Sequence, residues 1–479
     1  MMAGEALVLF EVDICVPAQQ FRIEYSLIEK GGLPFVSEFL LRLLKVSPLM
    51  SADIARYFGF TSKELSAALT PFFQKGEVSV QPDGRISLSE KGLRLFSGNE
   101  DSPSVRSRQD YRRSFTFDLL TFSYLGGKIP SASTRRAVLL DAGVEVRAVS
   151  QQRAVGAFQN NLHEIFRRGD LTGKDQQDSV PELYKISDVR KSSDVCFLVE
   201  EALCLDVDSL DLSFEVKKGI AEEEEYIGRR ASMLHSLNGR ENFDDVVRLA
   251  DRLGDPETID ALSSGVMDFR GVAQRALSFG LDDRRGDVRI YGSLQLNRNW
   301  DQVCSLLKKH HEKISDSERE VATRLTWLAP CSHGLWGKSS RHGQALSKFV
   351  EYAGLKSKRN DRHAFEAEIL IPLSSSKDWQ SRKAANNDCA EAKEYLHGFV
   401  ESETLAPLEV FMLSGCFAVV IYHLVVPDRY PVPIPFGFIT EDPARVRSIE
   451  GLVRSVLDEY SFENKPRYLG GLADLGRSL

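Results

Sequence analysis

No two of the seven cysteines, at positions 15, 196, 204, 304, 331, 389 and 416, form a C-x-x-C pair. That spacing argues against a zinc ribbon or a disulfide scaffold, so reduced, buried thiols of a cytoplasmic protein are expected. A membrane-spanning run is missing as well, since no stretch reaches about 18 apolar residues. The most apolar segment, Val410 to Val426, is interrupted by Gly415 and His423 and reads as buried strand. Met1 to Val16 has no basic region followed by a continuous apolar run, so no secretory leader is expected. An excess of one charge is also absent. The 61 Lys and Arg face 69 Asp and Glu, a net charge of −8, so nothing global draws the chain to nucleic acid or an anionic membrane. Any nucleic-acid contact must then be a local patch. The motifs G-x-x-x-x-G-K-[ST], G-x-S-x-G and H-E-x-x-H do not occur, which argues against a P-loop hydrolase, a serine-hydrolase elbow and a zinc protease, and no cofactor is expected. The Gly-Lys-Ser-Ser run around Lys338 has Ser332 where a P-loop needs its first glycine.

The composition that remains, 42% apolar and 27% charged over 479 residues, is that of a folded chain too long for one core. At roughly 100 to 200 residues per domain, two to four are expected. The pattern predicts a multidomain chain with α+β and α/β parts. Residues 1–32, two apolar β-branched stretches around Pro17, read as a β-hairpin. Residues 33–96 read as compact helices: Phe39, Leu40, Leu43 and Leu44 share one face, and Ser51 caps a second helix that Gly59 stops. Thr61 and Glu64 have the spacing of a capping box for a third helix. After it, Val78, Val80, the turn Pro82-Asp83-Gly84, Ile86 and Leu88 predict a short hairpin.

This order and the stretch LMSADIARYFGFTSKELSAALTPFFQKGEVSVQPDGRISLSEKG resemble the winged helix-turn-helix superfamily of bacterial regulators, whose members run through "KG" and a "DG" wing tip to an L-[ST]-x-K-G ending. The resemblance implies that the third helix enters a major groove. It would present Ser62, Lys63, Ser66 and Gln74, with Arg85 near the wing. Many such domains serve only to bind protein, and the charge balance over 33–96, eight cations against six anions, does not choose between the two uses. Residues 97–113 read as a basic linker whose Arg106, Arg108, Arg112 and Arg113 would add phosphate contact.

Residues 114–220 read as a middle α+β domain with strands at Phe115 to Phe122, Val144 to Val149, Cys196 to Val199 and Leu210 to Val216. Residues 221–284 read as a helical connector. From about 285 to 479, strands and helices alternate, with Ala390 to Val400 read as helix, which predicts an α/β layered domain. Its segment IPFGFITEDPARVRSIEGLVRSVLDEY resembles the closing strand, acidic-proline turn and helix of a phospholipase D superfamily domain. That resemblance implies an H-x-K-x4-D motif contributed twice around a histidine nucleophile. Here the lone H-x-K, His311 to Lys313, falls in a lysine-rich pattern with Glu318 at the aspartate position, and CFAVVIYHLVV carries none. The resemblance therefore implies a degenerate domain, a pseudo-enzyme.

Two further candidates come from the residues themselves. Glu215 and Lys217, with Asp211 upstream, match the spacing of a PD-(D/E)xK nuclease, in which carboxylates hold a divalent metal; an exposed strand end matches it equally well. Lys338, Arg341, Lys356, Lys358, Arg359 and Arg362 form a basic stretch with His333, His342, His363 and Trp336, suited to a nucleic-acid backbone, an acidic partner or plain solvation. The expected function is a non-catalytic DNA-associated adaptor or accessory component of a bacterial DNA-handling or antiphage defence complex, beside an ATPase, helicase or nuclease. A nuclease with an atypical metal site and a winged-helix transcriptional regulator are the alternatives.

Overall fold

The computed structural model describes residues 6–96, 103–172, 180–218, 224–262, 265–277, 287–315, 322–357, 362–375, 377–457 and 472. Glu318, Lys358 and Arg359 lie outside them.

The chain opens with one long strand, β1 (Ala6–Gly32). Three helices follow, α1 (Phe35–Val46), α2 (Ser51–Phe58) and α3 (Ser62–Gln74), then a hairpin of β2 (Val78–Val80) and β3 (Ile86–Leu88) and the short α4 (Glu90–Leu93). The capping box of α3 is formed: Thr61 Oγ1 accepts from Glu64 N at 3.3 Å and Glu64 Oε2 accepts from Thr61 N at 2.9 Å. Gly84, at φ 84°, closes the β2–β3 turn with a backbone angle that residues bearing a Cβ rarely adopt. Leu40, Leu44, Ile54, Leu65, Leu69, Phe72 and Ile86 bury one another in a small core belonging to this segment alone.

Next come β4 (Ser104–Asp118), β5 (Tyr124–Gly126), β6 (Val138–Leu139), α5 (Val144–Asn160), α6 (Leu162–Arg167), β7 (Glu182–Asp206) and β8 (Leu212–Lys218). They join β1 in a sheet of order β5-β4-β1-β7-β8, with β6 added in parallel to β1. The pairing of β1 with β4 runs from Ala18↔Asp118 to Gly32↔Ser104, and β7 lies antiparallel along nearly the whole of β1. The helical segment 33–96 is thus inserted at the end of a long antiparallel strand pair.

Four helices, α7 (Glu224–Leu237), α8 (Phe243–Arg252), α9 (Pro256–Leu262) and α10 (Phe269–Leu277), lead to the second large sheet. This is assembled from β9 (Val288–Tyr291), α11 (Asn297–Ser315), β10 (Thr323–Leu328), α12 (Ser340–Ala353), β11 (Phe365–Leu373), α13 (Trp379–Asp388), β12 (Leu396–Val400), β13 (Leu408–Leu413), β14 (Phe417–Leu424), β15 (Ile434–Thr440) and α14 (Pro443–Leu457). Its order is β12-β11-β10-β13-β14-β15-β9. The first three are parallel, and from β10 onward each neighbour is antiparallel. α11 and α12 bury Trp300, Val303, Leu346 and Phe349 in one core, and α14 buries Val446, Ile449 and Val453 in another. That second core is continuous with the apolar residues of β1 and β7.

Several expectations are corrected. Residues 6–32 are one strand and not a hairpin. The large apolar side chains change phase along it, from Val12, Ile14 and Val16 to Phe21, Ile23, Tyr25 and Leu27, but every residue from Val12 to Phe21 is buried, so the middle of the strand is covered on both faces. This change of phase at Pro17 imitates a turn. Pro17 is accommodated because the pairing with β4 begins only at Ala18, and its carbonyl accepts from Leu119 N at 2.9 Å. The basic linker is likewise strand, β4, from Ser104 onward; residues 97–102 of it lie outside the described residues. Val144 to Val149 begins α5: Val144 and Val149 are exposed, and the helix buries Ala154, Ala157 and Phe158 instead. Ala390 to Val400 is a 3₁₀ turn followed by β12, parallel to β11. Cys15 and Cys196, 181 residues apart, are joined as a disulfide between β1 and β7, so the expectation of seven reduced thiols fails for this pair. Among the described residues no helix is long and apolar enough to cross a membrane.

Gly437 sets the spacing of β14 and β15, because a Cβ there would lie 1.8 Å from the Val420 carbonyl oxygen. Gly437→Ala should lower stability toward the upper end of the ~1–3 kcal/mol typical of overpacking, as read by urea denaturation.

Candidate functional site

The strands β10, β13 and β14 bury an acidic residue in an otherwise apolar layer. Glu409 on β13 is fully buried. Its Oε1 accepts from Trp327 Nε1 of β10 at 2.9 Å, from Trp336 Nε1 at 3.0 Å and from Gln295 Nε2 at 3.4 Å. Its Oε2 accepts from His423 Nε2 of β14 at 2.9 Å. Burial pushes this carboxyl up, but the bonds from His423, Trp336 and Trp327 outweigh it and the net direction is down. Glu409 is therefore an anion held by four donors.

The contacts continue outward in one direction. His423 Nδ1 meets His333 Nε2 at 3.0 Å, and the backbone N–H of Leu335 donates to His333 Nδ1 at 3.1 Å. A backbone N–H can only donate, so His333 carries its proton on Nε2 and donates to His423 Nδ1. His423 in turn carries its proton on Nε2 and donates to Glu409. One peptide group at one end and one carboxylate at the other thus set both tautomers. Burial, and next the neighbouring His423, holds the His333 pKa well below the ordinary value.

Beside this chain lies His342, near the start of α12, 1% exposed. Gln295 Nε2, the nitrogen that also reaches Glu409, is 3.3 Å from His342 Nδ1. That nitrogen donates, so His342 Nδ1 accepts and the ring proton sits on Nε2, an atom with no hydrogen-bond partner. Trp336 stands edge-on to the ring at 4.4 Å between centroids. Burial lowers the His342 pKa from 6.5 to about 4. His342 lines a cavity of about 200 Å³ together with Pro330, His333, Trp336, Ile371, Ser381 and Asp388.

No family model, curated protein or solved structure matches this chain.

The residues singled out in the sequence are only partly brought together. Ser62, Lys63, Ser66 and Gln74 are all exposed on α3, and Arg85 is exposed near the hairpin tip with its Nε 3.5 Å from Asp83. On β4, Arg112 pairs with Glu24 at 3.2 Å, Arg108 with Asp110 at 3.1 Å, and Arg113 donates to the Thr172 carbonyl at 2.7 Å. Arg106 is also on β4. These arginines decorate a strand and, apart from Arg106, of whose side chain nothing is described, are tied to local acceptors, which reduces the charge they offer to phosphate.

The nuclease triplet is spread along an exposed strand edge. Asp211, Glu215 and Lys217 are exposed, and Lys217 pairs with Glu11 of β1. Among the described residues no three His, Cys, Asp or Glu side chains are grouped to hold a metal ion. The basic stretch is not one patch. Lys338 donates to Asp388 at 2.8 Å, and Arg341 donates to Glu11 at 3.1 Å and Asn297 at 2.6 Å, before and at the start of α12. Lys356 and Arg362 follow the other end of that helix, roughly 20 Å away at 1.5 Å per residue, because periodicity along a helix says nothing about which end a charge occupies.

Sequence reasoning missed Glu409, Gln295 and Trp327, and saw His423 only as an interruption. The available signal was a carboxylate and an imidazole inside strands whose other side chains, Tyr422 apart, are apolar, which is costly unless each finds a partner.

Proposed function

We propose that the protein is a DNA-associated adaptor, an accessory component of a bacterial DNA-handling or antiphage defence complex. In this proposal residues 33–96 act as a winged helix-turn-helix that meets duplex DNA, and the C-terminal domain, of degenerate phospholipase D type, docks a partner such as an ATPase, helicase or nuclease. The observation that carries the proposal is the insertion of segment 33–96 at the end of the β1–β4 pair, where Gly32 faces Ser104. Fifteen paired residues at about 3.3 Å each span roughly 50 Å, so the pair can present a small, separately cored unit away from the second sheet. The helix that would enter the groove keeps Ser62, Lys63, Ser66 and Gln74 in solvent, and its apolar stripe of Leu65, Leu69 and Phe72 faces inward.

The test is fluorescence anisotropy with labelled duplex DNA over a salt series. Lys63→Glu combined with Arg85→Glu should weaken binding by roughly ten-fold at modest salt and flatten the salt dependence by about two counterions, with helix content unchanged. Unchanged affinity in the folded double variant would retire the DNA-contacting role.

A further inference from the structure

We propose that the cavity beside α13 binds a small, uncharged, planar molecule with an amide-like edge, its carbonyl oxygen accepting from His342 Nε2 and its N–H facing the Asp388 carboxylate. The site is independent of DNA contact by segment 33–96.

Its position is the first support. Pro330 and His333 follow the end of β10, while Ile371 and Pro372 close β11, so the cavity lies outside the carboxyl ends of two parallel strands. β10 is also the strand at which the sheet changes from parallel to antiparallel neighbours. In open sheets with helical crossovers, the space outside the carboxyl ends is where ligands bind, because the connections there diverge and leave a crevice.

The second support is an unspent donor. His342 is nearly inaccessible, its Nδ1 is taken by Gln295, and its Nε2 has no partner. A buried N–H without an acceptor is costly, and its retention is explained if a ligand oxygen completes it. Gly337 packs beside that atom, where a side chain would crowd it. It adopts φ 74°, and a Cβ there would sit 3.2 Å from His342 Nε2.

The walls define the class of ligand. Pro330, Trp336, Ile371, Pro372, Ala384 and Ala385 supply an apolar lining, and a volume of about 200 Å³ far exceeds the ~30 Å³ share of one water. The charges around it are paired: Lys338 with Asp388 at 2.8 Å, and Arg136 with Glu391 at 2.8 and 2.9 Å. Both charged groups nearest the cavity, Asp388 and Lys338, are spent on each other, so the site favours a neutral molecule that offers both an acceptor and a donor.

Benzamide, one ring with a carbonyl and an NH₂, is the probe, and ligand-observed saturation-transfer NMR on the full chain is the measurement. Benzamide should bind saturably. Binding should weaken roughly ten-fold in His342→Phe, the value of one hydrogen bond, and vanish in Ala384→Trp, which fills the cavity from an exposed position on α13. Benzoate, the same ring with a carboxylate, should bind more weakly than benzamide because it has no N–H to donate to Asp388 and sets an acceptor against an acceptor. No saturable binding to the folded wild type would overturn the proposal. Equal affinity in Ala384→Trp, or tighter binding of benzoate, would do the same, and neither depends on whether His342→Phe folds.

Discussion

Glu409→Gln should destabilise the protein by about 3 kcal/mol in urea denaturation, although the two side chains have the same shape. With the amide oxygen toward Trp327 and Trp336, its NH₂ faces His423 Nε2, which must then accept. His423 would have to donate through Nδ1 to His333, and His333 would have to carry its proton on Nδ1, where the Leu335 N–H already points at 3.1 Å. Turning the amide over only moves the conflict, since its NH₂ would then meet the two indole N–H groups at 2.9 and 3.0 Å. Either orientation leaves two donors face to face among buried side chains. Glu409→Leu, which abandons all the donors together, should cost at least as much. A loss below about 1 kcal/mol in Glu409→Gln would show that the tautomers are not locked end to end.

Stability should also fall as pH drops through the window from 6.5 to about 4. His342 has a folded pKa of about 4 against 6.5 in the unfolded chain, first because of burial. Within that window the unfolded state binds more protons than the native one, so unfolding free energy rises with pH and is lost on acidification. A shift of this size corresponds to about 3 kcal/mol once pH 4 is reached. His333, lowered by burial and by His423, acts in the same direction. Asp13 opposes them. It lies beside the start of α12, accepting from Ser340 N at 2.8 Å, and burial raises its pKa from 3.8 to about 6. There the native state holds the extra proton between 3.8 and about 6, so its contribution declines as pH rises through that range. Urea denaturation from pH 4 to 8 separates the two effects. His342→Phe should flatten the acid loss, and Asp13→Asn should steepen it while raising stability at pH 7. An unchanged slope in His342→Phe would refute the assignment.

Some of this structure could be read directly from the residues. The capping box at Thr61 and Glu64, the Asp83-Gly84 turn and the helical stripe of Leu65, Leu69 and Phe72 depend on neighbours within a few positions, and each formed as its spacing required. The strand and helix alternation after residue 285 was legible for the same reason, because strand and helix periods are local properties of a chain. The errors arose where one local pattern serves two structures: the change of phase at Pro17 suits a turn or a strand covered on both faces, and the valines opening α5 suit a strand or an exposed helix face.

What only the tertiary structure decided is the pairing of distant segments. Alternation shows that Val12 and Ile14 are buried, but not that β7, some 180 residues later, lies along β1 or joins Cys196 to Cys15. Likewise, a buried Glu409 and His423 announce that partners must exist. Those partners, Trp327, Trp336, Gln295 and His333, are brought to them only when β10, β13 and β14 align and the loop after β10 folds across their ends. Local sequence determines the period and the cost of burial, whereas the identity of each partner is fixed by long-range strand pairing, which no short window of residues encodes.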